Sequence, residues 1–281
     1  MGLFDRLSKK KNIQVDDFHN RINDGDNLSP RPKKIGVAFG GGGLKGTAHV
    51  GVLKVFSEYN IPIHMVAGTS IGSAVAALYA SGYDWEMMHK IFMNFDIESL
   101  LKVRPSRKGL IPADGYVELI RACTKNKRIE DMDLPLKIVA VDLVSRKKIL
   151  FDRGDTAIAV RASSAIPGVF TPVKMDDMLL VDGYILDNCP GSVVRDMGAD
   201  VVIAIDLHAP NTSMPKNILE IVNRSMDIAA ASYQVVDADL VLSPIDTFVD
   251  SLSVEVLQEC FDQGEACARK HIDKILELTG G

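Results

Sequence analysis

The segment 34–81 runs twice through one order: a short apolar run of β-forming residues, a glycine turn, then a helical period. First, "KIGVAF" gives way to Gly40, Gly41, Gly42, Gly43 and Gly46, after which Ala48, Val52 and Phe56 recur every four residues with Leu53 beside them. Then "IHMVAG" gives way to "IGSAVAALYAS", whose small side chains allow close packing. Strand, helix and strand joined by short turns place the two strands parallel, and a parallel sheet must be covered on both faces.

The rest of the chain continues the alternation. Asp84 can cap a helix, and a further amphipathic helix is expected from Asp114 to Cys123. "PLKIVAVDLV" and "KKILFD" flank "SRK" as a hairpin or pair of adjacent strands. "DTAIAVRASSAI" reads as a helix that stops before Pro167, "MLLVDGY" as a strand ending in a turn, and "PGSVVRDMGAD" as a short helix from Pro190 to Gly198. "VVIAIDL" is a buried strand, followed by a long helix, by "DLVLSP", and by a C-terminal helix from about Leu252 to Leu278. The expected fold class is α/β, with a three-layer, mostly parallel central sheet and helices on both faces. Residues 1–33 are polar and end in "NLSPRPKK", which suggests a flexible leader before a single domain over 34–281.

Composition narrows the function. A formal net charge of −5 gives no general reason to expect a nucleic-acid partner. Cys123, Cys189, Cys260 and Cys267 form no CxxC pair and no cluster with histidine, so they read as free thiols in a reducing compartment, with no zinc site. "MGLFDRLSKKKN" lacks an apolar signal core, and Arg6 stands where myristoylation needs Ser or Thr. No apolar stretch is long enough to span a bilayer, so a cytoplasmic location is expected. Leu3, Phe4 and Leu7 beside Lys9, Lys10 and Lys11 could make a short helix in transient contact with a membrane surface; a frayed, solvated tail is the simpler reading.

The glycine run admits three readings. A P-loop is excluded because Lys45 precedes Gly46 and Thr47, the reverse of the required order. The dinucleotide fingerprint G-x-G-x-x-G is met by Gly41, Gly43 and Gly46, but the next strand ends without the carboxylate that holds a ribose. In its place stands G-x-S-x-G: Gly68, Ser70 and Gly72, between an expected strand and an expected helix. A nucleophile on so sharp a turn needs small neighbours, and the helix N-terminus beneath it favours an anion. The glycine loop ends another strand at the same sheet edge, so the amides of Gly41, Gly42 and Gly43 can converge on one oxyanion.

A serine nucleophile needs a base. Of the six histidines, at 19, 49, 64, 89, 208 and 271, His208 follows a strand late in the chain, as a triad histidine would, while His271 lies within a helix. Asp182, at a strand end before Gly183, is the other candidate, although most Asp-Gly pairs are only turns. Spacing does not decide between them.

Three motifs in this order, "GGGLKG" (41–46), "GTSIG" (68–72) and "VDGY" (181–184), resemble the patatin-like phospholipases. "RASSAIPGVFTPV" through "GADVVIAIDL" resembles the bacterial members, and the similarity covers roughly 34–245. The resemblance implies a Ser–Asp dyad of Ser70 and Asp182, an oxyanion hole from the glycine loop, and Lys45 where the family has Arg or Lys. Gly46, Gly68, Gly72 and Gly183 complete the motifs, and Asn188 with Pro190 matches an Asn-x-Pro segment. It implies hydrolysis of phospholipid or lysophospholipid esters, or of small esters, through an acyl-serine, with no metal and no cofactor. The departure is Tyr184, where the family has Gly or Ala, which bears on substrate more than on chemistry. A weakly active lipid-binding or regulatory protein, a triad esterase using His208 and, last, a nucleotide-binding protein remain as alternatives. The apolar segment from Trp85 to Leu101 reads as a core helix, with a lipid-contacting lid as the functional alternative.

Overall fold

The computed structural model describes residues 31–94, 114–209, 213–232, 234–245 and 256–280. The leader expectation for the first 30 residues, with Leu3, Phe4 and Leu7, lies outside them, as do Phe95 and Ile97 of the apolar segment.

Among the described residues, eight strands form one mixed sheet: β1 (Ile35–Phe39), β2 (Met65–Thr69), β3 (Leu136–Asp142), β4 (Lys147–Phe151), β5 (Val173–Met175), β6 (Met178–Asp182), β7 (Val201–Ile205) and β8 (Leu240–Leu242). β3, β2, β1, β7 and β8 lie side by side in parallel. β4 and β6 run antiparallel to β3, and β5 antiparallel to β6. The helices among the described residues are α1 (Thr47–Glu58), α2 (Ile71–Ala80), α3 (Trp85–Met93), α4 (Asp114–Cys123), α5 (Thr156–Ser163), α6 (Gly191–Asp196), α7 (Ile218–Ala231), α8 (Leu257–Lys270) and α9 (Ile272–Thr279).

The side-chain period of two divides the central strands between two cores. Ile35, Val37, Phe39, Val66, Ile138, Ile203 and Ile205 face one, with apolar residues of α1, α2, α3, α8 and α9. Ala38, Ala67, Val139, Val202 and Ala204 face the other, against Val193 and Val194 of α6. The sheet is thus covered on both sides, as a parallel arrangement demands.

The register around β3 matters most for the site. Ala140 pairs with both Ile149 of β4 and Asp182 of β6, so β4 and β6 occupy opposite edges. Val139 pairs with both Leu150 of β4 and Thr69 of β2, so β2 shares its edge with β6. β2 and β6 therefore approach each other end to end along one edge of β3. Thr69 and Asp182 stand opposite consecutive residues, Val139 and Ala140.

Two elements differ from expectation. β5 is three residues long, too short to leave a readable pattern. The C-terminal helix breaks at His271, whose Nδ1 lies 2.9 Å from the Cys267 carbonyl while its N–H turns to the Ala268 carbonyl. The side chain takes the carbonyl that the next helical N–H would have used. Met88 and Phe92 of α3 are buried in the core and Met87 is exposed, so the described part of the apolar segment is a core helix with one outward methionine.

Candidate active site

The turn between β2 and α2 carries Ser70 at φ 54°, ψ −126°. A non-glycine residue there costs about 1–3 kcal/mol of backbone strain and persists only where its surroundings hold it. The Ser70 carbonyl accepts from the Ser73 hydroxyl at 2.6 Å and the Ser73 N–H at 2.9 Å. The Ser70 N–H donates to Ser163 Oγ at 2.8 Å. The flanking glycines are steric necessities. A Cβ on Gly72 would lie 2.1 Å from the Phe39 carbonyl oxygen, and one on Gly68 would lie 2.3 Å from that of Gly72.

Asp182 closes β6 directly opposite. The Ser70 hydroxyl donates to Asp182 Oδ2 at 2.6 Å, and the Tyr184 N–H donates to Oδ1 at 3.0 Å. The Asp182 N–H donates to the Ala165 carbonyl at 3.0 Å. Ser70 and Asp182 are both buried. Burial pushes the Asp182 carboxyl up to about 7, against the two hydrogen bonds that favour its ionised form. That value suits a base working near neutral pH. Gly183 lets the two strand ends abut, since a Cβ there would sit 2.5 Å from the Val139 carbonyl oxygen.

The glycine loop borders the same spot. A Cβ on Gly41 would lie 3.2 Å from Ser70 Cβ and 2.6 Å from Asn188 Oδ1. The three amides are not equivalent. The Gly41 N–H donates to the Asn188 carbonyl at 3.0 Å and is committed there, whereas no backbone acceptor among the described residues takes the N–H of Gly42 or Gly43. The loop is pinned from below at two points: Lys45 Nζ donates to the Leu207 carbonyl at 2.7 Å, and His49 Nε2 lies 2.8 Å from the Gly40 carbonyl. Burial lowers the pKa of both side chains, that of His49 to about 4, so the imidazole is neutral and its Nε2–H can donate to Gly40. His49 received no role in the sequence reading, because a buried histidine on a helix has no local signature.

The loop from Asp182 to Asn188 is held by distant residues. Gln234 donates from Nε2 to the Tyr184 carbonyl at 2.7 Å, and its Oε1 accepts from the Asn188 N–H at 2.8 Å. Thr69 Oγ1 donates to the Asp187 carbonyl at 2.8 Å, and Lys148 pairs with the Asp187 carboxylate at 2.7 Å. Neither Gln234 nor Ser163 carried a sequence signal.

The described histidines make other contacts. His208 Nδ1 lies 3.4 Å from Asp227 Oδ1, a partner that raises its pKa. His64 Nδ1 accepts from the Ile35 N–H, the His89 ring packs at a tilt against Phe261, and His271 contacts Cys267. Among the described residues, no group of three His, Cys, Asp or Glu side chains is placed to hold a metal ion, and the four cysteines are free thiols. Among them, too, no helix is long and apolar enough to cross a membrane.

Comparison with known proteins is consistent with this geometry. The family model described as patatin-like phospholipase matches residues 37–194, which include Ser70 and Asp182. An uncharacterized NTE family protein of Mycobacterium tuberculosis is 34% identical over 214 residues, covering 74% of this chain and 59% of that protein. The chain thus spans less than two thirds of that relative's length. Human patatin-like phospholipase domain-containing protein 6 is 32% identical over 185 residues, covering 62% of this chain and 13% of that protein. Among solved structures, VipD from Legionella pneumophila superposes with a TM-score of 0.62 at 14% identity, over 87% of this chain and 67% of VipD. The type III effector protein ExoU gives a TM-score of 0.52 at 17% identity, over 88% of this chain and 54% of ExoU. At such identities the two structures speak to the fold alone.

Proposed function

This chain belongs to the patatin-like phospholipase family, and from that premise we propose that it is a serine acyl hydrolase of lipid carboxylic esters, working through a Ser70–Asp182 dyad. The observation that carries the reading is the 2.6 Å hydrogen bond from Ser70 Oγ to a buried carboxylate whose pKa is pushed up to about 7.

The reaction proceeds as a two-step acyl transfer. Asp182 Oδ2 takes the Ser70 hydroxyl proton as Oγ bonds to the ester carbonyl carbon. The carbonyl oxygen becomes an oxyanion beside the glycine loop, where the free amides of Gly42 and Gly43 are its donors. Each such donor contributes on the order of 3 kcal/mol to the transition state. The tetrahedral adduct collapses, the ester C–O bond breaks, and protonated Asp182 gives its proton to the leaving alcohol. Water then attacks the acyl-serine with Asp182 again as base, which restores the free hydroxyl. Tyr184 serves through its backbone N–H, a contact any residue but proline can make, so it is compatible with this chemistry. No role for His208 follows, since its ring faces Asp227.

The reading is tested by incubation with a fluorophosphonate and mass spectrometry, followed by assays on p-nitrophenyl esters and lysophospholipids. An adduct on Ser70, with ester cleavage lost in Ser70→Ala, is the expected outcome. An unlabelled Ser70 sinks the hydrolase reading and favours a lipid-binding role.

A further inference from the structure

We propose that the turn 163–165, at the end of α5, is a positioning element that sets the Ser70–Asp182 geometry from one side, with the Ser163 hydroxyl as its adjustable contact. The inference rests on the acyl-hydrolase reading for its catalytic consequence, but the contacts stand without it.

This turn accepts the main-chain N–H of both residues. Ser163 Oγ accepts the Ser70 N–H at 2.8 Å, and two residues on the Ala165 carbonyl accepts the Asp182 N–H at 3.0 Å. Ser163 and Ala165 are both fully buried, so water does not compete for either bond. The turn is itself rigidly based. Ala157, Ala159, Val160 and Ala162 of α5 are buried, Asp155 caps the helix through the Ala157 and Ile158 N–H groups, and Arg161 donates to Thr171 Oγ1 at 3.1 Å.

The two contacts act on different coordinates. Ser70 holds a positive φ, so the tilt of the 69–70 peptide decides where Cβ and Oγ point. The Ser163 contact fixes that tilt. The Ala165 contact fixes the height of the last β6 residue along the edge of β3. One turn therefore sets both ends of the 2.6 Å bond, so that nucleophile and base move together when the surroundings flex. Of the two, only the Ser163 contact comes from a side chain, so mutation can remove it without redrawing the backbone.

The test compares wild type, Ser163→Ala and Ser163→Thr for kcat, KM and Tm on a p-nitrophenyl ester, together with hydrogen exchange at the Ser70 and Asp182 amides. A nucleophile misplaced by about 1 Å costs roughly 100-fold in rate. Ser163→Ala is expected to lower kcat by about that factor with KM unchanged, and to lose protection at the Ser70 amide first. Ser163→Thr, which keeps the hydroxyl, is expected to restore most of kcat. A kcat in Ser163→Ala equal to wild type overturns the proposal, as does a loss that a folded Ser163→Thr fails to lift. If Ser163→Ala does not fold, Ser163→Cys replaces it: its weaker acceptor should give an intermediate kcat, and a wild-type kcat is again contrary. If the wild type neither cleaves esters nor labels at Ser70, the hydrolase reading falls by itself. Exchange then decides the turn: protection at Ser70 unchanged by Ser163→Ala overturns it, and protection lost retains it.

Discussion

The turn that carries Ser70 and the loop that carries Asp182 meet at one hydrogen bond, yet they are specified in different ways. The turn over 68–72 is shaped by how small its own residues are, packed close against backbone, with one side chain from afar, Ser163, holding the Ser70 N–H. Gly68 and Gly72 are required by contacts at 2.3 and 2.1 Å with neighbouring backbone, and Ser73 ties off the Ser70 carbonyl. The loop from Asp182 to Asn188 is shaped from outside. It leans on Ala165, Thr69, Lys148 and Gln234, all remote in sequence. A serine at a strained backbone needs stiffness, and close packing of glycines against backbone supplies it. A buried carboxylate needs a low-polarity setting that only tertiary structure supplies.

Perturbing the turn should therefore be severe, and perturbing the loop graded. Ser70→Ala should reduce kcat by about 10⁴-fold or more in an ester assay while the fold persists, because a dyad without its nucleophile retains only binding and oxyanion contacts. Gly72→Ala should cost about 4 kcal/mol or more of stability, visible as a collapsed Tm, because its Cβ meets a backbone oxygen that cannot give way. A well-folded, active Gly72→Ala protein would break the contrast.

On the loop side, Gln234→Ala should lower kcat by about 10-fold, roughly 1.4 kcal/mol, with little change in Tm. Gln234→Glu should be worse, since its carboxylate accepts from the Asn188 N–H but repels the Tyr184 carbonyl. Equal effects would mean the donor half of the contact is idle. Asp182→Asn sharpens the electrostatic half. The folded-state pKa of Asp182 is raised from 3.8 to about 7, so the folded protein holds this proton more tightly than the unfolded chain. The associated stabilisation is full below 3.8 and lost as pH rises through about 7. Other groups being equal, the stability lost by the wild type between pH 5 and pH 8 should exceed that lost by Asp182→Asn in paired thermal melts. The smallest effect belongs to Lys148→Ala. Its partly exposed pair with Asp187 should be worth less than about 1 kcal/mol and should weaken with salt in denaturant titrations.

This contrast also explains what could be read in advance. Parallel strands, the serine turn and the glycine loop were legible because steric demands restrict which residues can stand there. On spacing alone Asp182 was one candidate beside His208, because an Asp-Gly turn is common and burial is decided by the whole fold; only the resemblance to the patatin-like phospholipases singled it out. The end-to-end meeting of β2 and β6 was not legible, since it depends on an antiparallel β6 in register with Ala140. Nor was the unequal standing of Gly41, Gly42 and Gly43. The Gly41 amide is turned to the Asn188 carbonyl, and Asn188 is held in turn, through its own N–H, by Gln234, 46 residues away. The Ser163 and Gln234 contacts left no trace because a single polar residue that finds a distant backbone partner has no period and no motif.

The dyad is tested most directly by the pH dependence of fluorophosphonate labelling at Ser70 in wild type, Asp182→Asn and His208→Ala. Labelling in wild type and His208→Ala should rise with pH through about 7, as Asp182 loses its proton, and should be nearly absent in Asp182→Asn at every pH. Labelling of Asp182→Asn at the wild-type rate, or a profile that His208→Ala displaces, would contradict the assignment of Asp182 as the base.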